Sequence, residues 1–91
     1  MNFSEALGQI KLGKLLKRSG WNGKHQFVFL VAGSEFKVNR APLLGIFDEG
    51  TDITYRPHID IKCQDGSISV WQPSMGDVMA DDWEIINKEE K

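Results

Sequence analysis

YRPHIDIKCQDGSISVW, residues 55–71, carries the strongest local fold signal in the chain. Asp65-Gly66 between two alternating runs predicts a β-hairpin with a two-residue type I′ turn, because both central residues of that turn need positive φ. With these two residues as the loop, Cys63 pairs with Ile68. One face of the hairpin is then apolar and consists of Ile59, Ile61, Cys63, Ile68 and Val70.

The opposite face of this hairpin is predicted to be polar apart from one indole. It carries His58, Asp60, Lys62, Ser69 and Trp71, with Asp60 opposite Trp71. An apolar ring beside a carboxylate, an imidazole and the nearby Arg56 has two interpretations. It is either part of a binding site or a surface that a second layer or a partner subunit covers.

Length and composition indicate one small domain, residues 1–91, with a frayed charged tail at 87–91. A hydrophobic fraction of 41% and a charged fraction of 26% are ordinary for a globular chain. The net charge of −2 argues against a nucleic-acid polymer as partner but is compatible with a small nucleotide. We expect no membrane span. The single cysteine, Cys63, suits a reducing cytoplasm and is predicted to lie in the core.

Before the hairpin, the pattern predicts a helix and two main strands. Ser4 is the expected N-cap of the helix, and Gly13 is expected to end it in the left-handed conformation. A strand follows at 15–18, then a turn at 19–23 and a strand at 25–31. Because residues 27–31 are apolar without alternation, both faces of that strand should be covered, one of them by another subunit.

The pattern of the remaining sequence predicts short helices and strands around the hairpin. A run at 36–38 and a strand at 51–55 flank an apolar loop at 41–52, the kind of loop that packs on a partner or rims a pocket. Ser74 and Asp77 resemble a capping box for a short helix that ends by Ala80. A final strand at 81–86 should bury Trp83. The fold class is therefore α+β, a small antiparallel sheet with an N-terminal helix and a short C-terminal helix, in an oligomer.

Residues for catalysis or metal binding are sparse. Neither His25 nor His58 has a second ligand at metal-binding spacing, and no glycine-rich phosphate loop is present. His58 with Asp60 is a weak acid/base pair, so we expect no catalytic residue, no metal and no cofactor. Trp21, in the 19–23 turn, is either a binding residue or a lid on the core. Exposed aromatic, Asn and Arg side chains together suit a small nucleotide, because rings stack on bases and Arg binds phosphate.

The sequence contains the following stretches in this order: Phe3-Ser4-Glu5-Ala6-Leu7, Gly13, Arg18-Ser19-Gly20-Trp21-Asn22-Gly23-Lys24, Phe27 to Leu30, Asn39-Arg40-Ala41-Pro42-Leu43, Tyr55-Arg56-Pro57-His58-Ile59-Asp60, Gly66, Val70-Trp71-Gln72-Pro73-Ser74, Asp77, and Ala80-Asp81-Asp82-Trp83-Glu84-Ile85. In this order and spacing they resemble the second type of Thoeris anti-defence protein, a small phage and prophage domain. The resemblance reaches about Ile86.

The resemblance implies a sponge, a protein that binds the cyclic ADP-ribose isomer of Thoeris immunity without degrading it. It also implies a homotetramer with its pocket between protomers, acting in the cytoplasm of the infected bacterium. Some relatives hold cyclic oligonucleotide signals at a separate site. By motif position, the resemblance assigns stacking to two residues and polar contacts to five. The stacking residues are Trp21 and Trp71, and the polar ones are Asn39, Arg56, His58, Asp60 and Asp77.

Two other functions remain open from the sequence. A nucleotide-cleaving enzyme would use His58 and Asp60, and would form product with time. A protein-interaction module would use the apolar loop from Ala41 to Phe47, and would bind no nucleotide.

Overall fold

One helix packs on one face of an antiparallel sheet of five strands, and two further strands form a separate ribbon. The computed structural model describes residues 1–22 and 24–87. The elements are α1 (Phe3–Lys11), β1 (Leu15–Arg18), β2 (Phe27–Val31), β3 (Ser34–Lys37), β4 (Asp52–Tyr55), β5 (His58–Lys62), β6 (Ile68–Val70), α2 (Met75–Met79) and β7 (Trp83–Ile86). The order in the five-stranded sheet is β6-β5-β2-β1-β7, and β3 and β4 form the ribbon. The predicted α+β class is confirmed. Of the predicted tail, only Asn87 lies within the described residues, and Gly23 of the predicted turn lies outside them.

The first helix begins earlier than predicted. Asn2, not Ser4, is the N-cap, because its side chain accepts from the Glu5 N–H at 2.9 Å while the Glu5 carboxylate accepts from the Asn2 N–H at 3.0 Å. This reciprocal pair satisfies two backbone donors that a Ser4 cap would leave free. Gly13 has φ 91° just past the helix, as predicted, a conformation that glycine adopts without steric cost.

The central hairpin forms, but its register is one residue away from the predicted one. Lys62 pairs with Ile68 and Ile61 with Ser69, so the predicted pairing of Cys63 with Ile68 is wrong. The reason is the turn: the Gly66 N–H bonds to the Cys63 carbonyl at 3.0 Å, and Gly66 is the turn residue with positive φ. This is a type I turn followed by a glycine in the left-handed region, which gives a loop of three residues instead of two.

A one-residue shift moves every side chain of β6 to the other face of the sheet. Val70 lies opposite Asp60, and the Trp71 N–H bonds to the Ile59 carbonyl at 2.9 Å. Trp71 therefore packs against the core with Ile59 and Ile61, and the prediction that it faces Asp60 among polar side chains is wrong. The prediction that Ile68 and Val70 share the core face with Ile59 is wrong for the same reason.

The covered face of the sheet carries the core. Its fully buried members come from α1, β1, β2 and β7, and they are Ala6, Ile10, Leu16, Val28 and Trp83. Trp83 is 1% exposed, which confirms its prediction as a core residue. Residues of α1 at a spacing of four supply the cover, as an amphipathic helix requires.

The opposite face of the sheet, which we call the open face, has no helix over it. It presents Phe29 and Val31 from β2 beside His58 and Asp60 from β5, with Ile68 and Val70 from β6. Ile68 is 58% exposed and Val70 67% exposed. Helix α1 thus covers one face of the apolar strand at 27–31. The second cover, a partner subunit, remains a prediction.

Two further boundaries differ from the prediction for local reasons. The strand predicted from His25 starts at Phe27, because His25 has φ 63°, outside extended backbone. The final strand starts at Trp83 instead of Asp81. By contrast, the capping box of Ser74 and Asp77 is present as predicted. In the described part of the chain, no helix is long and apolar enough to cross a membrane.

Candidate functional site

Trp83 is the support for the two indoles that the sequence singles out. Its ring lies 5.4 Å from that of Trp21 and 5.9 Å from that of Trp71, with interplanar angles of 80° and 82°. Such edge-to-face contacts hold aromatic rings in fixed orientations. Trp21 and Trp71 are both half-buried against the same buried ring, so the turn and the end of the hairpin meet at one place.

Between these two indoles lies an open cavity of about 330 Å³, which we call the tryptophan cleft. Its lining residues are Trp21, Asn22, Gln26, Ile61, Gln64 and Trp71. Three of these residues bear carboxamides, which both donate and accept hydrogen bonds. The cleft therefore offers flat apolar rings and neutral polar groups, a combination suited to a planar heterocycle with polar edges.

Asp77 lies behind Trp21, and its carboxylate already accepts three hydrogen bonds within the protein. Oδ1 accepts from Arg18 Nη1 at 2.8 Å and from Trp21 Nε1 at 3.1 Å, and Oδ2 accepts from the Ser74 N–H at 2.9 Å. Burial raises the pKa of Asp77, but the hydrogen bonds from Arg18, Ser74 and Trp21 outweigh it, so its pKa lies below the ordinary value. Asp77 is thus held as a charged structural acceptor.

Asp82 takes the second half of the Arg18 guanidinium. Arg18 Nε donates to Asp82 Oδ1 at 2.8 Å, and the Gly20 N–H donates to Asp82 Oδ2 at 2.8 Å. The hydrogen bond from Arg18 lowers the pKa of Asp82, and the Gly20 N–H adds to that effect. One arginine therefore joins two carboxylates that lie on either side of the Trp21 turn.

The other predicted polar residues lie elsewhere in the single chain. Asn39 lines a second cavity of about 790 Å³ between the β3–β4 ribbon and the loop that follows β3. Arg56 lies in the link between β4 and β5. Neither Asn39 nor Arg56 lines the tryptophan cleft, and the residues of the open face do not line it either.

His58 and Asp60 lie on the open face, on the other side of the sheet from Trp71. His58 Nε2 is 3.1 Å from Asp60 Oδ1, an oxygen that is buried and makes no hydrogen bond of good geometry. The neighbours of this pair across the strands are Phe29, Val31 and Val70. Within residues 1–22 and 24–87, no three His, Cys, Asp or Glu side chains are grouped to hold a metal ion.

Sequence reasoning missed Gln26 and Gln64 in the cleft, and Arg18 and Asp82 behind it. Gln64 belongs to the three-residue hairpin loop and lines the cleft beside Trp71. Arg18 and Asp82 are 64 residues apart, and only the β1–β7 pairing brings them together. No local pattern could have indicated that contact.

A third cavity, of about 420 Å³, lies on the other side of Trp21. Basic side chains line much of it, namely Lys17, Arg18, Lys24 and His25. Two of them are already paired, Arg18 with both aspartates and Lys17 with Glu84 at 3.6 Å. Trp21 therefore separates an amide-lined cleft from a cavity whose lining combines basic side chains with the Glu84 carboxylate.

Comparison of the sequence with known proteins identifies the family. Over residues 1–86 the chain matches the family model of the Thoeris anti-defense 2-like domain, and it belongs to that family. Among curated proteins, it is similar to Thoeris anti-defense 2 of Bacillus phage SP01, with 37% identity over 87 residues and 96% of each chain covered. The resemblance drawn from the sequence is confirmed, and family membership supports an anti-defence role.

Proposed function

We propose that this protein is a non-enzymatic sponge that binds a cyclic ADP-ribose-type signal and withholds it from the Thoeris effector in the cytoplasm of the infected bacterium. The observation that carries the proposal is the tryptophan cleft, where Trp21 and Trp71 stand against the same buried ring. Flat rings stack on a purine, and the carboxamides of Asn22, Gln26 and Gln64 suit its polar edges and the ribose hydroxyls.

The chemistry of the cleft supports binding without turnover. Its described lining consists of indole, carboxamide and aliphatic side chains, none of which is an acid, a base or a nucleophile at neutral pH. The candidate acid/base pair, His58 with Asp60, is on the opposite face of the sheet. A ligand bound between the indoles would therefore contact groups that orient it instead of groups that cleave it.

Affinity sets a demand that one cleft does not meet alone. A sponge with nanomolar affinity needs about −12 kcal/mol. Stacking supplies about 1–3 kcal/mol per base. The rest must come from phosphate contacts and from closing an open cavity, since enclosure strengthens polar interactions. A second protomer that brings Asn39 or Arg56 over the cleft is one way to provide both.

Self-association as a homotetramer is part of the proposal. The open face supports it, because Ile68 and Val70 are exposed there on one side of the polar β5 residues, and Phe29 and Val31 lie on the other side of them. A chain of 91 residues has a thin core, and covering this surface would bury area that one copy leaves in water.

The deciding experiment separates sequestration from cleavage. Purified protein is mixed with cyclic ADP-ribose isomers, the free ligand is filtered off, and the protein is heat-denatured before analysis by liquid chromatography and mass spectrometry. Depletion before heating and release of intact ligand afterwards supports the sponge and identifies its isomer. Release of converted ligand contradicts it and favours the enzyme, whose turnover should then disappear in Asp60→Asn.

A protein-interaction module is the second candidate, because the loop after β3 is apolar and exposed. Ile46 is 71% exposed and Phe47 43% exposed. If this loop carries the function, no isomer is depleted, and Ile46→Asp abolishes partner binding while Trp71→Ala leaves it unchanged. If neither a cyclic ADP-ribose isomer nor a protein partner is bound, cyclic oligonucleotides are the next ligands to test by the same filtration.

A further inference from the structure

The N–H of the Trp21 indole is already bound within the protein. It donates to Asp77 Oδ1 at 3.1 Å, and Asp77 is buried. The same carboxylate is fixed from two other directions by Arg18 and by the backbone of Ser74. An indole whose edge is held in this way has only its ring face to offer to a ligand.

The backbone beside Trp21 is held as firmly as its ring. The Ser19 N–H bonds to the Asp82 carbonyl at 3.2 Å, and the Gly20 N–H bonds to the Asp82 carboxylate. A Cβ on Gly20 would lie 2.6 Å from Asp82 Oδ2, so any other residue here would displace that carboxylate. The turn is thus tied to the residue before β7 by both the main chain and the side chain of Asp82.

We infer that Arg18, Asp77 and Asp82 form a clamp that holds Trp21 as a rigid stacking wall before any ligand arrives. This inference rests on the proposed function in taking the tryptophan cleft as the binding site. It changes the role of Asp77 from a ligand contact to a positioning residue, which acts on the ligand through Trp21. Preorganisation of this kind raises affinity because the side chain loses little freedom on binding.

The clamp also defines which ligand contacts Trp21 can make. Stacking on the ring face selects a planar base and tolerates any base, whereas an indole N–H would read a specific acceptor. Trp21→Phe keeps a flat ring but loses the N–H that the clamp holds, so it should weaken binding without abolishing it. Trp21→Ala should lose it. Base discrimination should reside instead in the carboxamides of Asn22, Gln26 and Gln64, which line the same cleft.

Asp82→Ala is the decisive variant, because Asp82 lines none of the three cavities and cannot touch a ligand in them. Asp81→Ala is the matched control, the same substitution one residue away at an exposed side chain. The first readout needs no ligand. It is the rate at which each indole N–H exchanges with solvent, measured by NMR of ¹⁵N-labelled protein. Exchange at Trp21 should speed up at least tenfold in Asp82→Ala and stay unchanged in Asp81→Ala.

Trp83 provides an internal reference in the same spectra, because its N–H donates to the Asp77 carbonyl at 2.9 Å and is buried. Its exchange should remain slow in both variants if the fold is intact. Should Asp82→Ala fail to fold, Gly20→Ala tests the same clamp by displacing the Asp82 carboxylate without removing a charge. Unchanged Trp21 exchange in a folded clamp variant would overturn the inference.

The second readout is affinity for the cyclic ADP-ribose isomer that the wild type retains. It should fall about tenfold in Asp82→Ala and not in Asp81→Ala. Faster Trp21 exchange with undiminished affinity would overturn preorganisation. If the wild type retains no isomer, the proposed function fails, and the clamp is then judged by indole exchange alone, so the two failures are distinguishable.

Discussion

The two faces of the five-stranded sheet are built from the same strands but differ in how much of their apolar surface is buried. The covered face buries Leu16, Val28 and Trp83 under α1, and it ends at the tryptophan cleft. The open face leaves Val70 and Ile68 exposed around a carboxylate of Asp60 that lacks a good hydrogen-bond partner. The difference teaches that a small chain can complete one hydrophobic layer by itself while apolar side chains on the other face of the same sheet stay exposed.

The largest effect on folding is expected from Trp83→Ala, at the centre of the covered face. It removes a 1% exposed indole, its hydrogen bond to Asp77 and the support of both cleft rings. Loss of about 3–5 kcal/mol in unfolding free energy is expected from such a cavity. Urea denaturation measures it. Ile85→Ala, in the same strand but 45% exposed, is the control and should cost clearly less; equal losses would contradict a core centred on Trp83.

Next comes ligand affinity at the edge of the covered face. Trp71→Ala should weaken retention of the cyclic ADP-ribose isomer by about 1–3 kcal/mol, because a stacking wall of the cleft is lost. Isothermal titration calorimetry provides the measurement. Leu12→Ala, an apolar truncation at a 73% exposed position past α1, should bind as the wild type does. Wild-type affinity in Trp71→Ala would remove that residue from the site.

The clamp beside the covered face should make the stability of the protein depend on pH in the acid range. The pKa values of Asp77 and Asp82 are lowered in the folded state, so their contribution is present above the unfolded pKa near 3.8 and is lost as the pH falls through the folded values. Melting temperatures measured from neutral pH down to about pH 3 should fall most steeply at the acid end. Asp82→Asn should flatten that fall, and a slope identical to the wild type would contradict the assignment.

The smallest effect on the fold itself is expected on the open face. Val70→Lys replaces a 67% exposed side chain, so the single chain should change in stability by no more than about 0.5 kcal/mol. Its effect on assembly should be large, because a charge enters the proposed interface. Light scattering after size exclusion compares the mass with Ser69→Lys, the adjacent residue on the other face. An unchanged mass in Val70→Lys would place any interface elsewhere.

Local signals in the sequence predicted local structure well. The box formed by Ser74 and Asp77 depends on residues three apart, and Gly13 ends α1 by its own backbone freedom. The hairpin was located correctly because Gly66 marks its turn. The predicted register is wrong because Gly66 has positive φ and Asp65 does not. That single residue decided on which face Trp71 lies.

The site could be predicted only where one residue carries the signal. Trp21 and Trp71 were conspicuous as aromatic rings in unusual places, and the structure brings them together. Gln26 and Gln64 were not conspicuous, since glutamines are common on any surface. Arg18 and Asp77 meet across 59 residues of sequence, so their contact depends on the whole fold. For Asn39 and Arg56, the predicted polar contacts to a ligand remain predictions.

The close set of three indoles has an optical consequence. Rings separated by 5.4 and 5.9 Å and nearly perpendicular couple their electronic transitions, which gives paired bands of opposite sign in circular dichroism. Trp83 is shared by both pairs, so a chromophore stacked on either outer ring would alter the same spectrum. The protein therefore contains its own unlabelled reporter of cleft occupancy, readable in the ultraviolet.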